Sequence, residues 1–206
     1  MSSARLATLF TSTILASSVA SAGPYDGFRL GFLGSFGFGG ETEAKATGGL
    51  KADSDNEATA GFVITGQYPI WTYITVGLEF GVLFTKTEAM DRLDQDRNAL
   101  IDIAPVIEGK YPLLGGRLEP FLKMPFGLSI YVPSDDLKDV STGVGWTVGL
   151  MAGARYFVWS GLAVEAELGW QGHGGSYDYE AQGFEKVEYD YEGHQFQLRF
   201  GVLWSF

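Results

Sequence analysis

The sequence predicts an all-β protein: an eight-stranded antiparallel transmembrane β-barrel placed after a cleaved N-terminal signal peptide. Three observations lead there. Apolar and polar residues alternate in eight segments, the period of a strand whose successive side chains point to opposite faces. The connections between segments are short at one end and long at the other, with both chain ends on the short side, as in membrane barrels. Finally, the polar face of each segment carries little charge, and tryptophans gather at the segment ends.

The chain opens MSSARLATLFTSTILASSVASA. Arg5 supplies a positive region, Leu6 to Val19 an apolar one, and Ala20-Ser21-Ala22 a small-residue cleavage site. Residues 1–22 therefore read as a secretory signal and residues 23–206 as the exported barrel domain. A membrane anchor is the alternative, disfavoured because the apolar stretch is short and rich in Ser and Thr. No later apolar run approaches the length of a spanning helix. Cysteine is absent, which excludes disulfides and thiolate metal sites. The net charge of -11 disfavours nucleic acid and other anionic partners, and no cofactor is implied.

The first segment sets Phe28, Leu30, Phe32, Phe36 and Phe38 against Arg29, Gly31, Leu33, Ser35 and Gly37. In the second, Ala60, Phe62, Ile64 and Tyr68 oppose Thr59, Gly61, Thr65 and Gln67. The third opposes Ile74, Val76, Leu78, Phe80, Val82 and Phe84 to Thr75, Gly77, Glu79 and Gly81. The fourth sets Ile101, Ile103, Pro105 and Ile107 against Asp102, Ala104 and Glu108. Leu118, Leu122, Met124, Phe126, Leu128 and Ile130 oppose Glu119, Phe121, Lys123, Gly127 and Ser129 in the fifth. The sixth has Trp146, Val148, Leu150 and Tyr156 against Thr147, Gly149, Gly153 and Arg155. The seventh has Leu162, Val164, Ala166, Leu168 and Trp170 against Glu165, Glu167 and Gly169. The last runs Phe196, Leu198, Phe200, Val202, Trp204, Phe206 against Gln197, Arg199, Gly201, Leu203 and Ser205. Short connections span Pro69 to Thr72, Pro112 to Arg117 and Phe157 to Gly161; long polar ones span Gly39 to Glu57, Lys86 to Asn98, Val132 to Gly143 and Gly172 to Gly193.

A soluble barrel of the lipocalin kind would alternate in the same way with its faces reversed. Its water-facing side would then carry abundant Lys, Glu and Asp. Here that side is mostly Gly, Ala, Thr and Ser, which suits a narrow interior. Trp71, Trp159 and Trp204 fall at the short-turn end, with Tyr68, Tyr73, Tyr111 and Tyr156, and Trp146 and Trp170 at the other. Two such aromatic belts mark two membrane–water interfaces. The apolar face therefore meets lipid. Arginine at Leu78 or Phe80 should harm the fold, and a change at Glu79 should be milder.

The final strand, with Phe200, Val202, Trp204 and the terminal Phe206, resembles the C-terminal assembly signal of Gram-negative outer-membrane proteins. The exported chain as a whole is similar to the small OmpA/OmpX-type outer-membrane β-barrels. The OmpA likeness covers the barrel alone. The resemblance implies a bacterial outer-membrane location with periplasmic termini and extracellular long loops. The partners it implies are outer-membrane lipids, lipopolysaccharide and the assembly machinery.

The lumen-side charges are Arg29, Glu79, Asp102, Glu108, Glu119, Lys123, Arg155, Glu165, Glu167 and Arg199. They read as a self-neutralising polar plug, with a gated ion path or proton relay as the functional alternative. Acidic runs in the long loops, KADSDNE and DRLDQDR, suit divalent cations bridging to lipopolysaccharide phosphates, although solvated loops carry such charge without any ion. The function expected is structural or surface-binding, through the acidic loops and an unidentified extracellular ligand. A narrow channel for ions or small solutes is the rival. An acyl-modifying enzyme would need a histidine base, and a Ser176–His173 pair in a glycine-rich turn lacks an evident orienting carboxylate. His194 sits at the rim with lipid-facing parity. No catalytic residue is assigned.

One further pattern lies above the membrane. Tyr177, Tyr179, Tyr189 and Tyr191 have lumen parity, while Asp178, Glu180, Glu188, Asp190 and Glu192 point away. Strands seven and eight should therefore continue as a hairpin through a Gln182-Gly183 turn. Glycines 172, 174 and 175 offer a place for a bulge. The four tyrosines would form either a binding shelf over the mouth or a packed lid.

Overall fold

The computed structural model describes residues 27–46, 49, 51–86, 97–134, 137, 139–180 and 186–206. The signal segment and the Gln182-Gly183 turn lie outside them, as does most of the DRLDQDR run. Ten strands are formed: β1 (Arg29–Phe38), β2 (Glu41–Ala46), β3 (Lys51–Asp55), β4 (Thr59–Trp71), β5 (Ile74–Thr85), β6 (Asn98–Lys110), β7 (Leu118–Val132), β8 (Gly143–Trp159), β9 (Leu162–Tyr179) and β10 (Val187–Ser205). Eight of them close a ring in the order β1, β4, β5, β6, β7, β8, β9, β10, with β10 pairing back onto β1. All ring pairings are antiparallel, and the closing seam runs from Arg29 opposite Ser205 to Phe38 opposite Phe196.

Exposure follows the alternation. Phe32 is 54% exposed and its neighbour Leu33 only 1%. The outer wall is paved with large apolar side chains of this kind, from Phe32 and Phe36 on β1 to Phe200 and Trp204 on β10. A continuous apolar belt on a closed barrel is a lipid-facing surface, since water would not tolerate a patch of that size. The seam itself depends on a small residue: a Cβ on Gly201 would lie 2.0 Å from the carbonyl oxygen of Phe32.

The short-turn end is tight. β4 and β5 join through Thr72 and Tyr73, and β8 and β9 through Ser160 and Gly161. Gly161 has φ 92°, a left-handed conformation that favours glycine at this two-residue turn. Trp71 and Trp159 both carry lumen parity by numbering. Register shifts between Pro69 and Trp71 and between Phe157 and Trp159 break the alternation there, and both indoles stand in the exposed girdle. Inside this end, Phe157, Ala163 and Leu203 form an apolar floor.

At the opposite end the structure departs from expectation. The connection Gly39 to Glu57 is not a loop: β2 and β3 form a hairpin, and β2 pairs with the upper part of β10 from Tyr189–Ala46 to Gly193–Thr42. The reason is the same alternation on a small scale. In ETEAKA and KADSDN every second residue is charged and the others are small or neutral, a strand pattern with one wet face. The expected tyrosine hairpin is present, with Val187 opposite Tyr179 and Tyr189 opposite Tyr177. Its register runs unbroken through Gly172, Gly174 and Gly175, so no bulge forms there.

Because Leu78 and Phe80 stand 52% and 39% exposed on the outer wall, arginine at either should lower stability by about 2–4 kcal/mol. Chemical unfolding in lipid vesicles measures this, with Leu78→Phe as a near-neutral control. Arginine tolerated at both positions would contradict a lipid-facing wall.

Candidate functional site

Two features concentrate the polar chemistry: the lumen and the mouth above it. The lumen is filled by layers of ion pairs. Nearest the short turns, Arg29 grips Glu119 with both terminal nitrogens, at 2.8 and 3.2 Å, and Lys110 lies 3.4 Å from the same carboxylate. Above it Arg155 holds Glu108 in a two-point contact and Glu165 through Nε at 2.8 Å. Next, Lys123 bridges Glu79 and Glu167, and Arg199 reaches Glu79 at 3.1 Å. Aromatic faces support the guanidinium groups: Arg155 lies 4.4 Å above the Phe121 ring and Arg29 5.4 Å from that of Phe157.

The uppermost layer is different. Gln171 donates to Asp102 and to Thr147, each at 2.9 Å, and accepts from Arg199. His173 Nε2 lies 2.9 Å from Asp102 Oδ2. Asp102 is the lumen carboxylate that no Lys or Arg meets among the described residues; the other five each touch one. A void of about 10 Å³ beside Asp102, Gln171 and Arg199 has room for roughly one water.

All ten predicted lumen charges point inward and are brought into these layers. Sequence reading missed Lys110 and His173, both buried. Parity identifies them: Lys110 continues the Asp102, Glu108 series of β6, and His173 continues Glu165, Glu167 and Gln171 on β9. Glu79, expected to be a mild site, is tied to both Lys123 and Arg199, so altering it uncovers two buried cations. The supposed absence of a carboxylate beside His173 is likewise corrected by Asp102. Glycines 172, 174 and 175 belong to a strand, not a turn, and Ser176 points to the opposite face from His173, so these two form no pair. His194 is exposed at the rim against Trp170, with ring centroids 6.4 Å apart.

Above the last layer lies a cavity of about 310 Å³. Its walls are the inner faces of the β2–β3 hairpin and of upper β10, with β6, β7 and the β7–β8 connection opposite. Asn56 anchors the hairpin, accepting from Thr42 at 2.7 Å and donating to the His194 carbonyl at 3.1 Å. Tyr177 stacks on Tyr131 at 5.3 Å and on Tyr189 at 5.6 Å, and Tyr179 meets Tyr189 edge-on at 6.4 Å. Tyr191, buried, leans on Tyr131 and Tyr177. The rings are thus spent on one another and on the cavity wall rather than laid open as a shelf. KADSDNE forms β3, with Lys51 Nζ 2.6 Å from Glu43. No group of three or more metal-ligating side chains occurs among the described residues.

Removing Lys123 leaves Glu79 and Glu167 buried with less compensation. Lys123→Met should therefore cost about 3–5 kcal/mol in unfolding measurements, partly recovered by adding Glu167→Gln. A loss no larger than that of the exposed Lys51→Met would contradict the pairing.

Burial, with the Asp102 charge adding to it, pushes the Tyr191 hydroxyl from 10.0 up to about 12. Tyr177 is also raised, by burial and then by Tyr189. Both shifts favour neutral phenols, so the stability they add is complete below about pH 10 and is lost as pH rises through about 12. A phenolate absorbance titration should show a group of late-titrating tyrosines, with Tyr131 also raised by burial, and Tyr191→Phe should lower its amplitude by one residue. Titration of all tyrosines together near their ordinary value would contradict this packing.

No protein-family model and no curated protein sequence matches the chain. Solved structures do match in fold. The outer membrane protein OprG from Pseudomonas aeruginosa is 11% identical with a TM-score of 0.64, over 89% of this chain and 98% of that one. The outer membrane protein AlkL, solved in DMPC lipid bilayers, is 17% identical with a TM-score of 0.54, over 90% and 93%. Neisserial surface protein A is 14% identical with a TM-score of 0.51, over 87% and 97%. The closed ring, the apolar wall and these likenesses agree: the chain has the fold of the small eight-stranded outer-membrane β-barrels.

Proposed function

We propose that this barrel is a non-conducting, surface-binding protein whose binding site is the cavity at its long-loop mouth. In this reading the long connections face the cell exterior and the termini the periplasm. Phe200, Val202, Trp204 and Phe206, all exposed on the outer wall, serve the assembly machinery as its recognition signal. The observation that carries the proposal is the pairing of an ion-paired plug with a built chamber above it. A solute entering the mouth meets the Asp102–Gln171–His173 layer and then the Lys123 and Arg155 layers, and opening any of them means separating buried charges. The chamber has the size of a small ligand pocket, and most of its wall is strand, with Leu137 and Val140 added by the β7–β8 connection. No catalysis is assigned, because Ser176 and His173 lie on opposite faces of β9.

Planar-bilayer recordings of the purified protein are expected to give no discrete openings, whereas reproducible openings would replace this reading with the narrow channel. Binding is checked by screening small molecules against the isotope-labelled barrel by NMR. Shifts should centre on Thr42, Ala44, Tyr191 and Gln195 and disappear in the cavity-filling Ala44→Trp variant. Hits that ignore this variant would place binding elsewhere.

A further inference from the structure

The chemistry of the cavity is one-sided. Tyr131, Tyr177 and Tyr191 line it beside apolar Leu100 and Val140, and among the described residues no Lys or Arg lines it. His173 supplies an imidazole at its floor, whereas the His194 ring turns outward against Trp170. The remaining polar groups are hydroxyls and amides such as those of Thr59, Asn98 and Gln195. The Tyr191 hydroxyl, buried on a ring that lines the chamber, is directed toward Ser129 and Asp102 at its floor.

The charge around this chamber is predominantly negative. Below the floor, six lumen carboxylates face five Lys and Arg side chains, and the excess sits on Asp102, whose Oδ1 makes no hydrogen bond. That charge is felt in the cavity, since it contributes to the raised Tyr191 hydroxyl. On the outer side of the wall, carboxylates stand directly opposite one another: Glu192 against Glu43, Glu43 against Asp53, and Glu41 against Asp55. Like charges in facing positions destabilise a sheet. Lys51, at 2.6 Å from Glu43 and 3.7 Å from Asp53, and Lys45, opposite Asp190, answer only part of this set. One sheet layer separates these groups from the chamber, a distance comparable to the Debye length of about 8 Å, so their potential reaches inside.

We propose that the mouth cavity binds a small organic cation, an ammonium or guanidinium group carried on a compact apolar body. The inference rests on the cavity being the binding site, and adds the class of ligand. The electron-rich rings of Tyr131, Tyr177 and Tyr191 supply the cation-attracting surface that such groups prefer to a bare carboxylate. Leu100 and Val140 receive the apolar part. Anions are repelled by the acidic wall and by Asp102 beneath. A bare metal ion lacks the converging ligands it would need among the described residues.

The test compares choline with its neutral isostere 3,3-dimethylbutanol by NMR titration of the labelled barrel. Micelles of a nonionic detergent are used, so that no choline headgroup competes. Choline should bind about tenfold more tightly than the alcohol. Tyr177→Leu should remove most of that preference while Tyr177→Phe keeps it. The double variant Glu43→Gln, Glu192→Gln lies outside the cavity and leaves the plug intact. It should weaken choline binding severalfold and leave the alcohol unchanged. Equal affinities for the two probes would overturn the cation assignment while leaving the cavity as a binding site. No saturable shift for choline, with other neutral molecules still shifting the cavity amides, would overturn it as well. Failure of every molecule to shift those amides would instead overturn the cavity reading itself.

Discussion

In hydrocarbon a backbone N–H or C=O has no water to turn to, and every strand edge left open there would carry a row of unmet groups. The pairing of β1 with both β4 and β10 is what removes the last edge. Once the ring is closed, the two faces of every strand are assigned for good: one to lipid, one to a lumen. The short turns, the close approach at Gly201 and the alternation of exposed and buried side chains are all consequences of that closure.

Eight strands leave an interior wide enough for side chains and little more. A lumen filled with apolar residues alone would satisfy packing. This one instead buries six acids and five bases, which is tolerable because every guanidinium and ammonium group meets a carboxylate and three of them bridge two or more. Arg155 touches Glu108, Glu165 and Glu119; Lys123 touches Glu79 and Glu167. Desolvation makes such groups dependent on one another, so the layers behave as a unit. The exception is the topmost carboxylate, Asp102, served by a histidine and an amide. Charge imbalance is thus placed beside the mouth rather than deep in the membrane.

Above the rim the barrel does not dissolve into loops. β9 and β10 continue upward, and β2 adds itself to the β10 edge that the shorter β1 leaves uncovered beyond Phe38. The same inside–outside rule then applies in water with new residues: tyrosines and small side chains inward, carboxylates outward. The chamber exists because this one-sided wall stands over a plugged lumen.

The sequence by itself determined the period of every strand, the direction each side chain takes and the sign of the loops, because a two-residue repeat is a local property. Residues such as Phe32, Glu79 and Tyr189 were assigned to their faces correctly by parity alone. The charged alternation of ETEAKA and KADSDN was legible in the same way, but its short length and polar composition gave it the look of a loop. Only the tertiary structure decided which lumen charges meet, since Arg29 finds Glu119 and His173 finds Asp102 across the barrel through a register that no local pattern contains. Nor does parity predict that Trp71 and Trp159 escape their inward assignment, because the register shifts beside them arise from fitting tight turns to neighbouring strands. The cavity belongs wholly to that second level: its walls come from segments distant in the chain, and its volume is set by how the β2–β3 hairpin seats on β10.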